Sequence, residues 1–358
     1  MASKPSGIAP EALKKEKAEK LSEEIDYIRF RESFRGIERG TVIAGKRVIW
    51  GFPHIKRIFT LENGIRKNMK GETLHAEEKI DGFNIRIAYI GGKIYAFSRG
   101  GFLDSFVTEK ARETPGFERF FRDNPEYVIC AEMIGNTPYT RPVKDFDVKI
   151  FIFDIDEGDG EYLPCAERYN LIKKYGLNGV PVLGKFRASE YKKLHDLIAA
   201  LNKGKREGMV LKSADRETVV KYVTPFADID DISNASATFF DMPIGFYYQR
   251  VLRSAFFIRE QGLDREEYAK RLGKAFYEGL EQAIRKAYEG RDIAEEFEIR
   301  IGNPGIWNDI RKHMSRDVKI EEIERRKEGE KTRIRFRKIY KRTSKTLISY
   351  AAGKGITD

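Results

Sequence analysis

Polar and apolar side chains trade places every second residue through Phe83-Asn84-Ile85-Arg86-Ile87, whereas Tyr268, Leu272, Phe276, Leu280 and Ile284 recur every fourth. The first period belongs to a half-buried strand and the second to an amphipathic helix. Strand-like runs rich in Val, Ile, Phe and Tyr cover residues 83–90, 94–99, 127–134, 148–155, 207–212 and 217–223. Between them lie two helical patches, 165–175 ended by Gly176, and 189–202 with Leu194, Leu197, Ile198 and Leu201 on one face. Beyond Pro225 longer helical patterns take over, 239–259 and 264–288, the second with Asp264 as its N-cap. Alternation returns at Phe297, Ile299 and Ile301 and at Ile334 and Phe336, which adds at least two strands to the tail.

The beginning of the chain reads differently. Residues 1–35 open on charges of alternating sign (Glu11, Lys14, Lys15, Glu16, Lys17, Glu19, Lys20) that lead into Leu21, Ile25, Ile28 and Phe30, which predicts a solvated helix. From 40 to 61, β-branched and aromatic residues broken by glycine predict short strands. Three regions result: an N-terminal extension of helix and short strands at 1–68, an antiparallel-rich α+β domain at 69–235 and a mainly helical domain at 236–358.

Composition narrows the possibilities. With 358 residues and 41% hydrophobic side chains the chain can build real cores. No apolar run reaches the roughly 18 residues that a membrane helix needs, and the N-terminus is rich in Lys and Glu, so an unexported cytoplasmic protein is expected. Two cysteines, Cys130 and Cys165, exclude a disulfide framework and, with four histidines, a zinc site of paired CxxC type. A net charge of +11 favours a polyanionic partner such as nucleic acid. Charged residues make up 34% of the chain against three glutamines, a bias found in proteins from hot habitats.

The chemistry concentrates near Glu77-Glu78-Lys79-Ile80-Asp81-Gly82. Gly91-Gly92 suits a two-residue hairpin turn, which sets Asn84 opposite Arg99 and Arg86 opposite Phe97, with Ile85, Ile87 and Tyr89 on the reverse face. Asn84, Arg86 and Arg99 then gather beside Lys79 and Asp81, a group suited to phosphate and ribose. Glu132 stands in an otherwise apolar strand, where a carboxylate is costly unless a ligand hydroxyl meets it. Phe151 and Phe153 alternate beside Asp154, and an aromatic ring among polar groups can stack on a base. Glu207, Lys212 and Lys221 each place a charge in an otherwise buried pattern.

In order, Lys79-Ile80-Asp81-Gly82-Phe83-Asn84-Ile85-Arg86, Ser98-Arg99-Gly100-Gly101, Ala131-Glu132, Phe151-Ile152-Phe153-Asp154, Glu207-Gly208-Met209-Val210-Leu211-Lys212 and Val220-Lys221-Tyr222 resemble the nucleotidyltransferase motifs of covalent ligases and capping enzymes. With the upstream segment Phe52-Pro53-His54-Ile55-Lys56-Arg57-Ile58 and the helical tail, they look most like the archaeal ATP-dependent RNA ligase family. The resemblance implies a ligase-type nucleotidyltransferase domain, ATP and Mg2+, and a homodimer built on tail helices that contain Phe256, Phe257, Phe276 and Tyr277. It implies that Lys79 takes AMP as a phosphoramidate, with Glu132 on the ribose and Phe153 on adenine. Arg86 and Arg99 would hold phosphates or the RNA end, Glu207 a divalent metal, and Lys221 the α-phosphate. The chain departs from the wider superfamily in its last motif, where Lys-x-Lys is usual and Val219-Val220-Lys221 stands here; Lys212 is the candidate for the second cation.

A nucleophilic lysine must first lose its proton, since a free one has a pKa of about 10.4. Burial, Lys221 and magnesium favour the neutral amine, and Asp81 or Glu207 oppose it. RNA with a 5′-phosphate and a 3′-hydroxyl is the expected substrate. The acid-free run from Lys331 to Lys345 supplies Arg333, Arg335, Arg337, Lys338, Lys341 and Arg342 as candidate phosphate contacts. The alternatives are a DNA ligase or capping enzyme, whose β-barrel after the last motif does not fit the helical pattern here, and a non-catalytic RNA-binding protein, which would not need Lys79.

Overall fold

The computed structural model describes residues 5–314 and 318–356. Helix α1 (Pro5–Lys14) is followed by the hairpin β1 (Ala18–Ser22) and β2 (Asp26–Phe30), then by β3 (Val42–Ala44) and β4 (Arg47–Ile49). These four strands form one antiparallel sheet in the order β1-β2-β3-β4. The helix expected over the charged start therefore ends at Lys14, and residues 18–30 are corrected to a hairpin. Glu16 takes a positive φ of 56° that ends the helix. Tyr27, Arg29 and Phe30 are then buried in a sheet.

The middle of the chain holds two facing sheets. One has the order β10-β9-β7-β8, built from β7 (Phe83–Ile90), β8 (Lys93–Ser98), β9 (Val128–Gly135) and β10 (Val148–Asp156). The other runs β11-β6-β12-β13-β5, from β5 (Lys56–Arg57), β6 (Thr73–Lys79), β11 (Val182–Arg187), β12 (Gly208–Ser213) and β13 (Val219–Val223). Every pairing in both is antiparallel except β13 with β5. The β7–β8 register is the expected one, Arg86 opposite Phe97 and Ile85 opposite Ser98. Gly91 and Gly92 both have positive φ, 56° and 83°, the backbone that a tight hairpin turn requires.

Each sheet buries its outer face. Ile85, Ile87, Ile129, Ala131 and Met133 pack against Phe106 of α3 (Ser105–Glu113) and Phe117, Phe120 and Phe121 of α4 (Phe117–Asp123). The second sheet covers Leu61 and Ile65 of α2 (Leu61–Asn68) and Leu194, Ile198 and Leu201 of α6 (Tyr191–Lys203). The helix expected at 165–175 is α5 (Cys165–Lys174).

The C-terminal region begins after α7 (Pro225–Ser236). It contains α8 (Gly245–Gln261), α9 (Arg265–Tyr288), α10 (Ile306–Met314) and α11 (Lys341–Ala351) with the antiparallel sheet β14-β16-β15 (Ala294–Ile301, Lys331–Ile339, Lys319–Glu328). Asp264 caps α9 as its sequence predicts, accepting from the amides of Glu266 and Glu267. The inner face of the three-stranded sheet is continuous with the first core: Phe297, Ile299, Trp307, Ile334 and Phe336 join the cluster of Ile85 and Phe106. No described helix is long and apolar enough to cross a membrane.

Candidate active site

The cleft between the two central sheets collects side chains that lie far apart in sequence. Lys79 ends β6, and the chain turns at once through Ile80-Asp81-Gly82 into β7. A side chain at Gly82 would meet the Met133 carbonyl oxygen at 2.5 Å, so glycine lets the turn lie against β9. Across the cleft, Glu132 stands opposite Asn84 on one side and Phe151 on the other. The register slips between Ile152 and Asp154, so Phe153 is the unpaired residue of a β-bulge. That bulge aims its ring into the cleft, where Phe52 meets it edge-on at 5.1 Å.

Lys79, Asn84, Arg99, Glu132, Phe153, Lys212 and Lys221 all line this cleft. A wider cleft of about 740 Å3 between β1, α3 and α10 holds none of them. Lys79 Nζ is 2.6 Å from a Glu207 oxygen. Burial works against the Lys79 ammonium, but Glu207, then Glu132 and Asp81, outweigh it and raise its pKa. At rest the pair favours the ammonium form of the lysine, while burial raises the Glu207 carboxyl itself to about 7. The other Glu207 oxygen is buried without a hydrogen-bond partner, as is the Asn84 side-chain oxygen. Burial pushes the Glu132 carboxyl up to about 7 even with Lys79 nearby. Lys221 falls to about 8, through burial and then the positive charges of Arg57, Lys79 and Arg99.

Two expected phosphate ligands are used elsewhere. Arg86 is fully buried, and its guanidinium donates to the carbonyls of Gly40 at 2.8 Å, Ser98 at 2.9 Å and Trp50 at 2.5 Å. It ties the N-terminal extension to β7, and complete burial keeps it out of reach of a phosphate in the cleft. Lys212 is 2% exposed and held by the Phe153 carbonyl at 2.6 Å, Glu77 at 2.9 Å and Asp154 at 3.0 Å. With Arg168 and Arg216 around the same carboxylates, its charge is already neutralised, so it does not serve as the missing second cation. Asp154 is held well below the usual carboxylate range: burial opposes its charge, but Lys212, Arg216 and Arg168 prevail.

The basic run near the C-terminus divides. β16 is the central strand of its sheet, and its arginines meet glutamates of both neighbours: Arg333 with Glu324 at 3.1 Å, Arg335 with Glu296 at 3.0 Å, Arg337 with Glu321 at 2.6 Å. Lys338 lies over the Phe297 ring at 4.0 Å. The face is a lattice of ion pairs rather than the free cationic stripe expected. Lys341 and Arg342, at the start of α11, are exposed.

Sequence reasoning did not single out Val180 and Val210, which also line the cleft, or the roles of Phe52, Ile55 and Arg57. The strap from Trp50 to Ile58 is one wall of the cleft, fixed at the end where β5 pairs with β13.

Two facing antiparallel sheets with a lysine at the cleft floor, a carboxylate and an aromatic ring above it, define a covalent nucleotidyltransferase. The family model described as RNA ligase matches residues 72–223, and that of the ligase Pab1020 C-terminal region matches 234–354. The uncharacterized protein MJ0414 of Methanocaldococcus jannaschii is 34% identical over 351 residues, spanning 92% of this chain and 88% of that protein. A putative ATP-dependent DNA ligase from Aquifex aeolicus superposes with a TM-score of 0.91 at 32% identity, covering 98% of this chain and all of that one. An archaeal ATP-dependent RNA ligase does so at 0.90 and 29%, covering 98% and 96%. The chain belongs to the archaeal ATP-dependent RNA ligase family.

Proposed function

We propose that this protein is an ATP-dependent RNA ligase working through a Lys79 adenylate. The observation that carries this reading is the convergence of Lys79, Asn84, Arg99, Glu132, Phe153 and Lys221, from separate strands and turns, on one cleft. Phe153 offers a face to adenine and Glu132 accepts from the ribose hydroxyls. Lys221 and Arg99 meet the phosphates.

In the first step the Lys79 amine, after losing its proton, forms a bond to the α-phosphorus of ATP while the bond to pyrophosphate breaks and its electrons leave with that group. In the second, a 5′-phosphate oxygen of RNA attacks the same phosphorus, the P–N bond breaks and Lys79 regains a proton. Finally a 3′-hydroxyl attacks the activated 5′-phosphate, AMP departs and a phosphodiester closes the strand.

The Lys79–Glu207 pair opposes the first step, because it favours the ammonium. A hard divalent cation such as Mg2+ fits here: Glu207 presents a buried oxygen without a partner, and such ions complete their shells with phosphate and water. Bound there, the ion would neutralise Glu207 and the departing phosphates.

Lys341 and Arg342, exposed and without ion pairs among the described residues, suit the RNA backbone better than the paired arginines of β16. A homodimer fits the exposed side chains of Ile244, at the N-cap of α8, of Tyr248, Leu252 and Phe256, which follow it four apart along that helix, and of Tyr277 on α9. Phe257 does not contribute, since it is buried against Tyr222. Buried, free Cys130 and Cys165 suit a reducing cytoplasm.

The test is incubation with a divalent cation and α-labelled ATP or GTP, followed by denaturation. Covalent label from ATP, absent from Lys79→Ala, is expected; label from GTP would indicate capping, and no label from either would end the reading. The likeness to a putative DNA ligase gives DNA as the second substrate to offer. Faster sealing of DNA than RNA ends would move the assignment there.

A further inference from the structure

The strap that walls the cleft carries a cation with no assigned duty. Arg57 pairs in register with Lys221 across the parallel β5–β13 contact, and the amide of Ile58 donates to the Lys221 carbonyl at 3.0 Å. Residues opposite one another in a ladder project from the same sheet face, so the two cationic side chains stand side by side. Arg57 is only partly exposed, and its side chain has no hydrogen bond or ion pair with any other described residue. Burial lowers its pKa, opposed chiefly by the carboxylates of Asp228 and Glu207.

Two half-buried cations side by side repel each other and lose hydration. Such an arrangement is stable when an anion completes it, and a guanidinium offers a forked donor set suited to phosphate oxygens. The last motif lacks its second lysine, and Lys212 is neutralised by Glu77 and Asp154. Phe52 and Ile55, earlier in the strap, line the nucleotide cleft, and Arg57 follows two residues on, in register with Lys221, which lines it too.

We propose that Arg57 supplies this second cation, gripping the β- and γ-phosphates of ATP beside Lys221 and stabilising pyrophosphate as it leaves. This rests on the adenylation reading above and deepens it. As the bond from the α-phosphorus to the bridging oxygen breaks, negative charge collects on pyrophosphate, and a donor placed there is worth more in the transition state than in the ground state.

The experiment compares parent, Arg57→Ala and Arg57→Lys in three assays: covalent labelling from α-labelled ATP, removal of that label by added pyrophosphate, and sealing of RNA that already carries the 5′-adenylate. Arg57→Ala is expected to slow labelling and its reversal by about 10- to 100-fold, the range of a charged hydrogen bond. Sealing of pre-adenylated RNA stays within twofold of the parent, a level assay scatter covers, and Arg57→Lys recovers part of the loss. Labelling at the parental rate overturns the proposal, as does an equal loss in all three assays or a loss confined to pre-adenylated RNA. Failure of the parent itself to take label would instead sink the adenylation reading.

Discussion

Beneath the nucleotide cleft, Glu77, Asp154, Arg168, Lys212 and Arg216 form a closed set, each charge meeting its opposite within about 3 Å and none more than 6% exposed. On the cleft floor Lys79 has one carboxylate at 2.6 Å, while Lys221 and Arg57 have no ion pair among the described residues. The residue types are the same, and the difference lies in what is left unmatched. A buried network that satisfies itself fixes the shape of the β10–β12 region and the Phe153 carbonyl. Charges that fail to satisfy themselves mark where a ligand completes the set.

The largest expected effect tests the unmatched cluster. Lys79→Ala should abolish covalent labelling and strand joining, with thermal unfolding close to that of the parent because Glu207, whose pKa burial already raises to about 7, can take up a proton once the cation is gone. A variant that still seals RNA from ATP would break the comparison at its centre. Asp154→Ala should do the reverse, removing about 3–5 kcal/mol of stability by stranding buried Arg216 and leaving Arg168 and Lys212 to share Glu77, as measured by denaturant unfolding. Unchanged stability would mean the closed network is not structural.

A smaller effect concerns RNA. Replacing Lys341 and Arg342 together by alanine should weaken RNA binding and lower the salt dependence of affinity by about two phosphate contacts. Arg335→Ala, which removes a partner of Glu296 and Glu324, should change stability by about 1 kcal/mol or less and leave the salt slope alone. The opposite ranking would restore β16 as the RNA strand.

The smallest effect is in pH. Glu132 titrates near 7 in the folded protein, and its carboxylate form accepts from ribose. ATP affinity should therefore rise as pH increases from about 6 to 8, and Glu132→Gln should flatten the profile. The same raised pKa means that Glu132 favours the folded state below its unfolded value of about 4.3 and loses that contribution as pH rises through about 7. Calorimetric titration of both variants without metal separates the two effects.

Much of this was legible in the sequence, for physical reasons that differ by residue. The β7–β8 register followed from Gly91-Gly92 because a two-residue turn leaves no freedom of pairing. Glu132 stood out because a carboxylate in an apolar strand needs a reason. Arg86 misled because its partners are main-chain carbonyls of Gly40, Ile49, Trp50 and Ser98, and main-chain atoms leave no trace in a side-chain pattern. The β1–β2 hairpin was hidden for another cause: Arg29 is buried against Glu19 while Leu21 and Ile28 are only half-buried, so polarity does not follow burial along either strand. Arg57 escaped notice because its meaning depends on a two-residue parallel contact with a strand more than 160 positions later.

The family models divide the chain between residues 223 and 234, yet Phe297, Trp307 and Phe336 share one hydrophobic core with Ile85 and Phe106. Inheritance and cooperativity have different units in this molecule. A fragment ending at residue 235 would carry every residue of the nucleotide cleft and would still expose the apolar wall on which the C-terminal sheet rests. Melting should accordingly couple the catalytic sheet to the tail sheet, and neither half is a spare part that recombination can exchange without recutting the other.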